Sequence, residues 1–535
     1  MALVQFRGLS GAGIVSDPNP AELGLNAWSS GANVRFHANK AERAPVLKTA
    51  VPLTAAPSYV FSYRPASLND MIISVSTSAI THVSSGDAVD LTPEAGASYS
   101  PGAAFTSTAL GDVTYLNQPS AVPLYFGPQS GRFETLPGWD PSWSCRSLRN
   151  YGDYMIALGV TKGAQSVPQM FKWSDLTLAG QPPGSWDAND ATTNAGENVI
   201  EDLTSPIVDG CALKDAFVVY ASDQAILVTQ TGDQLVFAFT RLGIDGGLIA
   251  PNCVVEVAGG HYCFGTSDIY FHDGTTQRSI CDGVSRDFIF GTLNRKLAEA
   301  CFTIYSPVHK EILFCYATTD PAAPWSGLGC NRAAVYSLTS QTWSYLDLPN
   351  VCSGSLVSVD QSPTYARYDS DGPTYATTSD TYLGLDGSHS DNVIFGSAST
   401  GTISESRVLA YDFANKGSLP NLAIEADCNS SAYLQRIGLD LDTQGSDLAT
   451  YKNVRRVYPQ SVMYAETPVT ITLGGSNTPA GPLKWAAPVT FDPTTQYKVD
   501  TLIGGRYLSY RFEVDAPVDF EVVGFDADVV SAGRR

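Results

Sequence analysis

The sequence predicts an all-β chain: a β-propeller of about six blades with a terminal β-sandwich-like platform. Three observations predict it. Gly (47), Pro (32), Tyr (26) and Phe (22) are plentiful while only 16% of residues are charged, a mixture that favours strands and turns over helices. From about residue 58 to 400 a strand–turn–strand unit recurs at spacings of roughly 40–60 residues, the size of a four-stranded blade with insertions. Beyond about residue 405 the pattern changes to alternating strands separated by Pro/Gly turns.

At 535 residues the chain is long for one ordinary domain. Residues 1–50 are Gly/Pro-rich and hold the strand Asn33-Val34-Arg35-Phe36. That is too little to fold alone, so this segment is expected to add a strand to the C-terminal domain or run over its surface. Residues 51–405 carry the propeller, with units beginning near Met71, Val113, Asp153, Asp215, Gly260 and Ile312 and a weaker copy near 377–397. The first strand of a unit is almost continuously apolar, as in Ile312-Leu313-Phe314-Cys315-Tyr316; a strand covered on both faces should read this way. Leu293, Leu297 and Ala300 fall at helical spacing and predict a short helix between two blades. Residues 161–168 and 180–196 read as long loops. Residues 406–535 are expected to form an antiparallel sandwich.

The formal charge is −21, from 53 acidic and 32 basic residues. Binding DNA through its phosphates needs the opposite balance, so tight nucleic-acid binding is not expected; an acidic wall would repel DNA and let it slide. Between Lys172 and Lys214 there is no base, but there are Asp175, Asp187, Asp190, Glu197, Glu201, Asp202 and Asp209. Residues 359–391 are similarly acidic, with Arg367 alone among them. The ten cysteines include no Cys-x-x-Cys pair and are expected to be buried reduced thiols. With no signal-peptide pattern and no apolar run of ~18 residues, a chain that is neither exported nor inserted in a membrane is expected.

Gly-x-Ser-x-Gly, His-Glu-x-x-His, the Walker loop and the dinucleotide fingerprint are all missing from the sequence. His261 and Cys263 share one strand face, but a third and fourth ligand are missing. Asp380, Asp386 and Asp391 lie among glycines without a full calcium spacing. The repeat that marks sialidase propellers is not present, and His272-Asp273-Gly274 reads as a turn. No metal, no cofactor and no catalytic residue are expected.

Three stretches carry a resemblance. They are Leu25 to Phe36, Asn194 to Gly274 (with Arg241, then Gly246-Gly247, then the hairpin Gly265 to Gly274), and Gly504 to Arg535. Together the sequence resembles the tail nozzle proteins of short-tailed bacteriophages over about two-thirds of its length, in strand and turn placement. The resemblance implies a virion structural protein without enzymatic activity. Six copies would form a ring below the portal and the tail adaptor, near tail fibres or a tail-tip protein, assembled in the host bacterial cytoplasm. The propeller would surround a channel through which double-stranded DNA passes without tight binding, and the terminal domains would form a platform. The acids expected to line the duct are Asp187, Asp190, Glu197, Glu201 and Asp202; Asp369, Asp371, Asp380, Asp386 and Asp391; and Glu513, Asp515, Asp519, Glu521, Asp526 and Asp528. The alternative is a receptor-binding or polysaccharide-depolymerising propeller at the tail tip.

Overall fold

A computed structural model describes residues 2–65, 70–83, 88–232, 236–359, 390–400, 405–411, 431–441, 450–463, 468–516 and 520–534. Five consecutive four-stranded antiparallel sheets follow one another along the chain. Their innermost strands are Tyr59–Tyr63 (blade 1), Thr106–Leu110 (blade 2), Trp143–Tyr151 (blade 3), Ile207–Leu213 (blade 4) and Val254–Val257 (blade 5). Blade 6 starts at Phe302–Ser306 and continues through Glu311–Tyr316 and Cys330–Ser337. Its outer strand is the first half of a 17-residue strand, Trp343–Val359. The second half of that strand becomes the inner strand of a seventh blade, pairing with Ser390–Ser397, then Arg407–Tyr411, then Leu47–Pro52.

From blade 2 round to blade 7 and on to blade 1 each inner strand packs on the next, and the inner strands of blades 1 and 2 meet where the Tyr59 hydroxyl and Ser107 Oγ hydrogen-bond at 3.0 Å. The ring closes where Ser353 Oγ of blade 7 accepts from the Val60 amide of blade 1 at 2.6 Å and donates to Val60 O at 2.9 Å. The ring is a β-propeller. It has seven blades among the described residues, where the spacing of units suggested about six. The seventh borrows its outermost strand from residues 47–52, ahead of all the others, and the weaker copy near 377–397 contributes its strand Ser390–Ser397.

The second strands of the blades are the continuously apolar ones. Phe217 to Ala221 and Ile312 to Tyr316 are buried along their whole length, held between neighbouring blades. Tight two-residue turns join many strands. Both Gly111 and Asp112, and both Ala258 and Gly259, have positive φ, the geometry that matches the twist of a hairpin. Residues 161–168 are not a long loop. Tyr154–Lys162 and Gln165–Trp173 pair directly, turning at Gly163 (φ 59°), and the polar residues there are the solvent side of a hairpin. The predicted helix is real but displaced: Arg286–Thr292 is α-helical, Leu293 is an extended cap residue, and Arg295–Ala300 forms a 3-10 turn. All nine described cysteines are free, and all but Cys211 and Cys352 are buried.

The two chain ends meet in a sandwich of two six-stranded sheets. One sheet runs Val499–Gly505, Thr450–Met463, Phe520–Arg534, with Ala2–Arg7 and Lys40–Arg43 both pairing on the far side of Phe520–Arg534. The other is centred on Val469–Ser476, Tyr507–Val514 and Ala432–Leu439, with Ser30–Ala32 at its edge. Phe6, Trp28, Tyr510, Phe512 and Phe525 interdigitate between them; Phe6 stacks on Phe525 at 4.4 Å and Trp28 meets Tyr510 edge-on at 5.5 Å. Aromatic pairs of this geometry add to simple area burial.

Sandwich and propeller are joined by residues of the N-terminal segment. Asn33, at φ 59°, donates its backbone amide to Tyr345 O at 2.8 Å, its Nδ2 to Asp347 Oδ2 at 3.1 Å, and accepts the Asp347 amide at 2.9 Å. Asp347 in turn pairs with Arg332, which also pairs with Asp320. Beside this, Arg35 reaches Glu311 at 3.2 Å and His309 Nδ1 at 2.7 Å.

Candidate functional site

The inner strands of a propeller present their unpaired edges to the axis, so polar groups gather there. Arg149 lies on the inner strand of blade 3 and Asp209 on that of blade 4. Arg149 Nε and Nη2 donate to the two Asp209 oxygens at 2.8 and 2.5 Å. The same carboxylate accepts the amides of Gly210 (2.8 Å) and Asn252 (2.7 Å). Burial works against the Asp209 charge, but Arg149 and these amides outweigh it and hold its pKa below the ordinary value. A bidentate pair with its remaining lone pairs satisfied is the form in which a buried ion pair is tolerated.

Two contacts reach between blades on opposite sides of the ring. Asn252, between blades 4 and 5, donates its Nδ2 to Phe105 O ahead of blade 2 at 2.7 Å. Arg146 of blade 3 pairs with Glu299, ahead of blade 6, at 2.6 Å. These bars cross the axial space. What remains is a cavity of about 920 Å³ with lining from all seven blades, the size of a small-molecule pocket. Its exposed rim includes Ala56, Thr77, Gly102 and Leu328.

None of the described candidate acids lines this cavity. Asp187, Asp190, Glu201 and Asp202 lie in loops at the outer side of blade 3. Glu197 is on that blade's outermost strand, where it accepts from Lys162 (2.6 Å) and Lys172 (2.8 Å), both of which sit over the Trp143 ring. Glu513 pairs with Arg511, Glu521 with Lys40, and Asp526 with Arg7, each at 2.7 Å. Asp526 and Asp528 are 9% and 8% exposed on the central strand of their sheet, and Asp515 is exposed. Asp369, Asp371, Asp380, Asp386 and Asp519, and the Asp391 side chain, lie outside the described residues. Thus one locally base-free run, 513–528, draws its counter-charges in part from the opposite end of the chain.

His261 and Cys263 belong to a different network. His261 Nε2 donates to Ala212 O at 2.7 Å, so its Nδ1 accepts, at 2.6 Å, the proton of Tyr220. His272 Nδ1 accepts the Gly274 amide at 3.2 Å, so its Nε2 donates to the Tyr220 oxygen. Cys263 Sγ also donates to that oxygen, at 3.6 Å. Each partner is satisfied with both imidazoles neutral, and burial lowers both to about 4. The relay fastens blade 4 to blade 5. Among the described residues no cluster of three or more His, Cys, Asp or Glu has metal-holding geometry.

No protein-family model matches the chain, and no curated protein matches it. Solved structures do. The chain is similar to one described as YCF48 bound to D1 peptide, at 9% identity and a TM-score of 0.31, over 59% of this chain and 86% of that one. It is also similar to a chain of a mitotic checkpoint complex, at 12% identity and a TM-score of 0.33, over 57% of this chain and 89% of that one. At those scores the likeness adds nothing to what the ring of sheets establishes. The propeller stands on its own strands.

The axial residues had one sequence signal. Asp209 interrupts the apolar run Ile207-Val208-Asp209-Gly210-Cys211; an acid inside a buried strand must be paired. Its partners Arg149 and Asn252 carried no local signal.

Proposed function

We propose that this protein is a non-enzymatic structural subunit of a bacteriophage virion, one of six copies that form the nozzle of a short tail. The likeness of its strand and turn pattern to that family motivates the reading. The observation that carries it is the joint, where buried Asn33, Asp347 and Arg332, with half-buried Asp320 at the end of the network, fasten the sandwich to the propeller. A subunit built this way transmits load between two bodies instead of letting them hinge.

The axial space of a single propeller is crossed by the protein's own hydrogen bonds, so a duct for DNA would have to lie between copies. The outer side of blade 3, with Asp187, Asp190, Glu201 and Asp202, and the outward sandwich residues such as Asp515, are the acids such a duct could use. A carboxylate ~10 Å from a phosphate in water adds about 0.4 kcal/mol of repulsion before screening; only a ring of copies multiplies that into a slippery wall. Net negative charge and a low charged fraction fit a subunit whose surface is largely covered by neighbours. The test is the assembly state of the purified protein, by mass photometry and negative-stain microscopy, alone and with particles lacking it. Sixfold rings that dock below the adaptor and restore DNA retention are the expected result. A monomer or trimer that binds host cells and ignores the tail would replace this reading with host attachment.

A further inference from the structure

Large apolar side chains left exposed on a folded chain mark a contact surface when they gather in one place. Two regions of this chain gather them, and the charges around the two are of opposite sign.

The first is an edge of the sandwich. Among the described residues Val499–Gly505 pairs on one side only, with Thr450–Met463. Val499 and Ile503 pack inward opposite Val457 and Val454, which leaves Asp500 and Leu502 facing out. A register shift between Val454 and Arg456 leaves Arg455 and Arg456 both exposed beside them. Gly475, which pairs with Lys484, lies against Gly504, so the exposed Lys484 and Trp485 belong to the same edge. Leu502 and Tyr497 are each 74% exposed. Arg456 and Lys498 share one carboxylate, Asp500, while Asp492 accepts from Thr494 and Thr495 of its own turn. Arg455 and Lys484 make no ion pair among the described residues. The edge is basic in a chain whose formal charge is −21.

The second region is the outer side of blade 3. Its last strand, Gly196–Val199, pairs only with Gln165–Trp173 among the described residues, and Val199 is exposed. Glu201 and Asp202 follow it, both exposed. Asp175 accepts the Asn194 amide at 3.0 Å and donates its own amide to Ser185 O at 2.9 Å. Those bonds set the exposed Leu176 and Leu178 beside the loop that carries Asp187 and Asp190. The lysines of this side, Lys162 and Lys172, are already taken by Glu197.

We propose that the basic, apolar edge of one copy's sandwich seats against the acidic, apolar outer side of blade 3 of the next copy. The inference rests on the reading of this protein as one subunit of a ring, and it places the blade 3 acids in the seam between copies. Leu502, Tyr497 and Trp485 meet Leu176, Leu178 and Val199 at the centre of the contact, and Arg455 and Lys484 face Glu201 and Asp202 around it. Opposite potentials of this kind steer encounter and fix the partner. The partner is a second copy because every copy carries both halves. Unlike surfaces meet, so the contact repeats from copy to copy until a ring closes, whereas a self-matched patch would stop at two.

The experiment is sedimentation velocity on the full chain over a range of concentrations. One variant carries Arg455→Glu and Lys484→Glu; the other carries Glu201→Lys and Asp202→Lys. All four side chains are exposed, and thermal unfolding of both variants is expected to match the parent. The parent is expected to form closed oligomers. Each variant alone is expected to associate about tenfold more weakly or worse, because like charges then face each other. Mixed one to one, the variants are expected to regain the parent's association, since an alternating ring of even number restores opposite charges at every contact. Parent-like association of either variant alone, or a mixture no stronger than its components, overturns the proposal; parent rings that still dock below the adaptor then leave the nozzle reading standing. A parent that stays monomeric also overturns the proposed contact, and docking to particles lacking the protein decides the nozzle reading separately.

Discussion

The blades and the sandwich are both antiparallel β-sheet, yet they are assembled from opposite kinds of contact. Within blades 1 to 5 every strand pairs with one close to it in sequence, through turns as short as Gly111-Asp112. In the sandwich, Ala2–Arg7 pairs with 524–529 and Ser30–Ala32 with Tyr433 to Gln435. Blade 7 belongs to both worlds, because its outer strand Leu47–Pro52 pairs with Arg407–Tyr411. Local pairs close small loops and form early; distant ones must wait until the intervening chain is compact. One strand, 47–52, therefore ties the body built from distant pairings to the body built from local ones. It also places the chain's way into the propeller beside its way out.

The largest effect that would break this comparison is truncation. Removing residues 1–43 should unfold the sandwich, which loses Phe6, Trp28 and four strands, while leaving the blades protease-resistant. Removing residues 1–52 also takes the closing strand of blade 7 and should cost the propeller its cooperative unfolding transition. Limited proteolysis and calorimetry read both. If the shorter truncation already dissolves the propeller, the two bodies are not separable in the way their topology implies.

Next in size is the axial ion pair. Asp209→Asn leaves Arg149 buried without its counter-charge and is expected to cost about 3–5 kcal/mol, read by denaturant unfolding. The matched substitution in the sandwich, Asp526→Asn, removes the partner of Arg7, whose side chain is 40% exposed. With one partner solvated the loss should be smaller, about 1 kcal/mol, and equal costs would contradict the contrast between a pair enclosed at the axis and one whose arginine reaches solvent.

Acidity should separate the regions too. His261 and His272 titrate near 6.5 when unfolded but are lowered to about 4 in the folded blades. Their contribution is therefore whole above pH 6.5 and lost as pH falls through about 4, on the order of 3 kcal/mol each. Glu311 at the joint runs the other way. Burial raises it from 4.5 to about 7 despite Arg35, so its effect on stability declines as pH rises from 4.5 to 7. Tyr220→Phe tests the relay directly: His272 Nε2–H and His261 Nδ1 lose their shared partner, a cost of about 1–3 kcal/mol. Thermal melts of Tyr220→Phe and Glu311→Gln across pH 4–8 should show opposite changes in pH dependence.

Much of the propeller was legible. The apolar runs at 217–221 and 312–316 announced strands covered on both faces, and their Gly-bearing turns announced hairpins, because both signals are written in neighbouring residues. The polar stretch 161–168 misled for the same reason: a solvent-facing hairpin and a loop have similar composition, and only pairing across Gly163 distinguishes them. The charges were the least legible. Read alone, 513–528 is acidic; in the fold, Arg7 and Lys40 come from the far end of the chain to meet it.

The class of element and the rhythm of repetition could be read from neighbouring residues, since period, turn chemistry and burial on both faces act over a few residues. The closing strand of the seventh blade, the axial contacts among Arg149, Asp209 and Asn252, the relay through Tyr220, and the joint at Asn33 were decided only in three dimensions. Each depends on groups tens to hundreds of positions apart, brought within hydrogen-bonding range when the ring closes and the two ends of the chain meet.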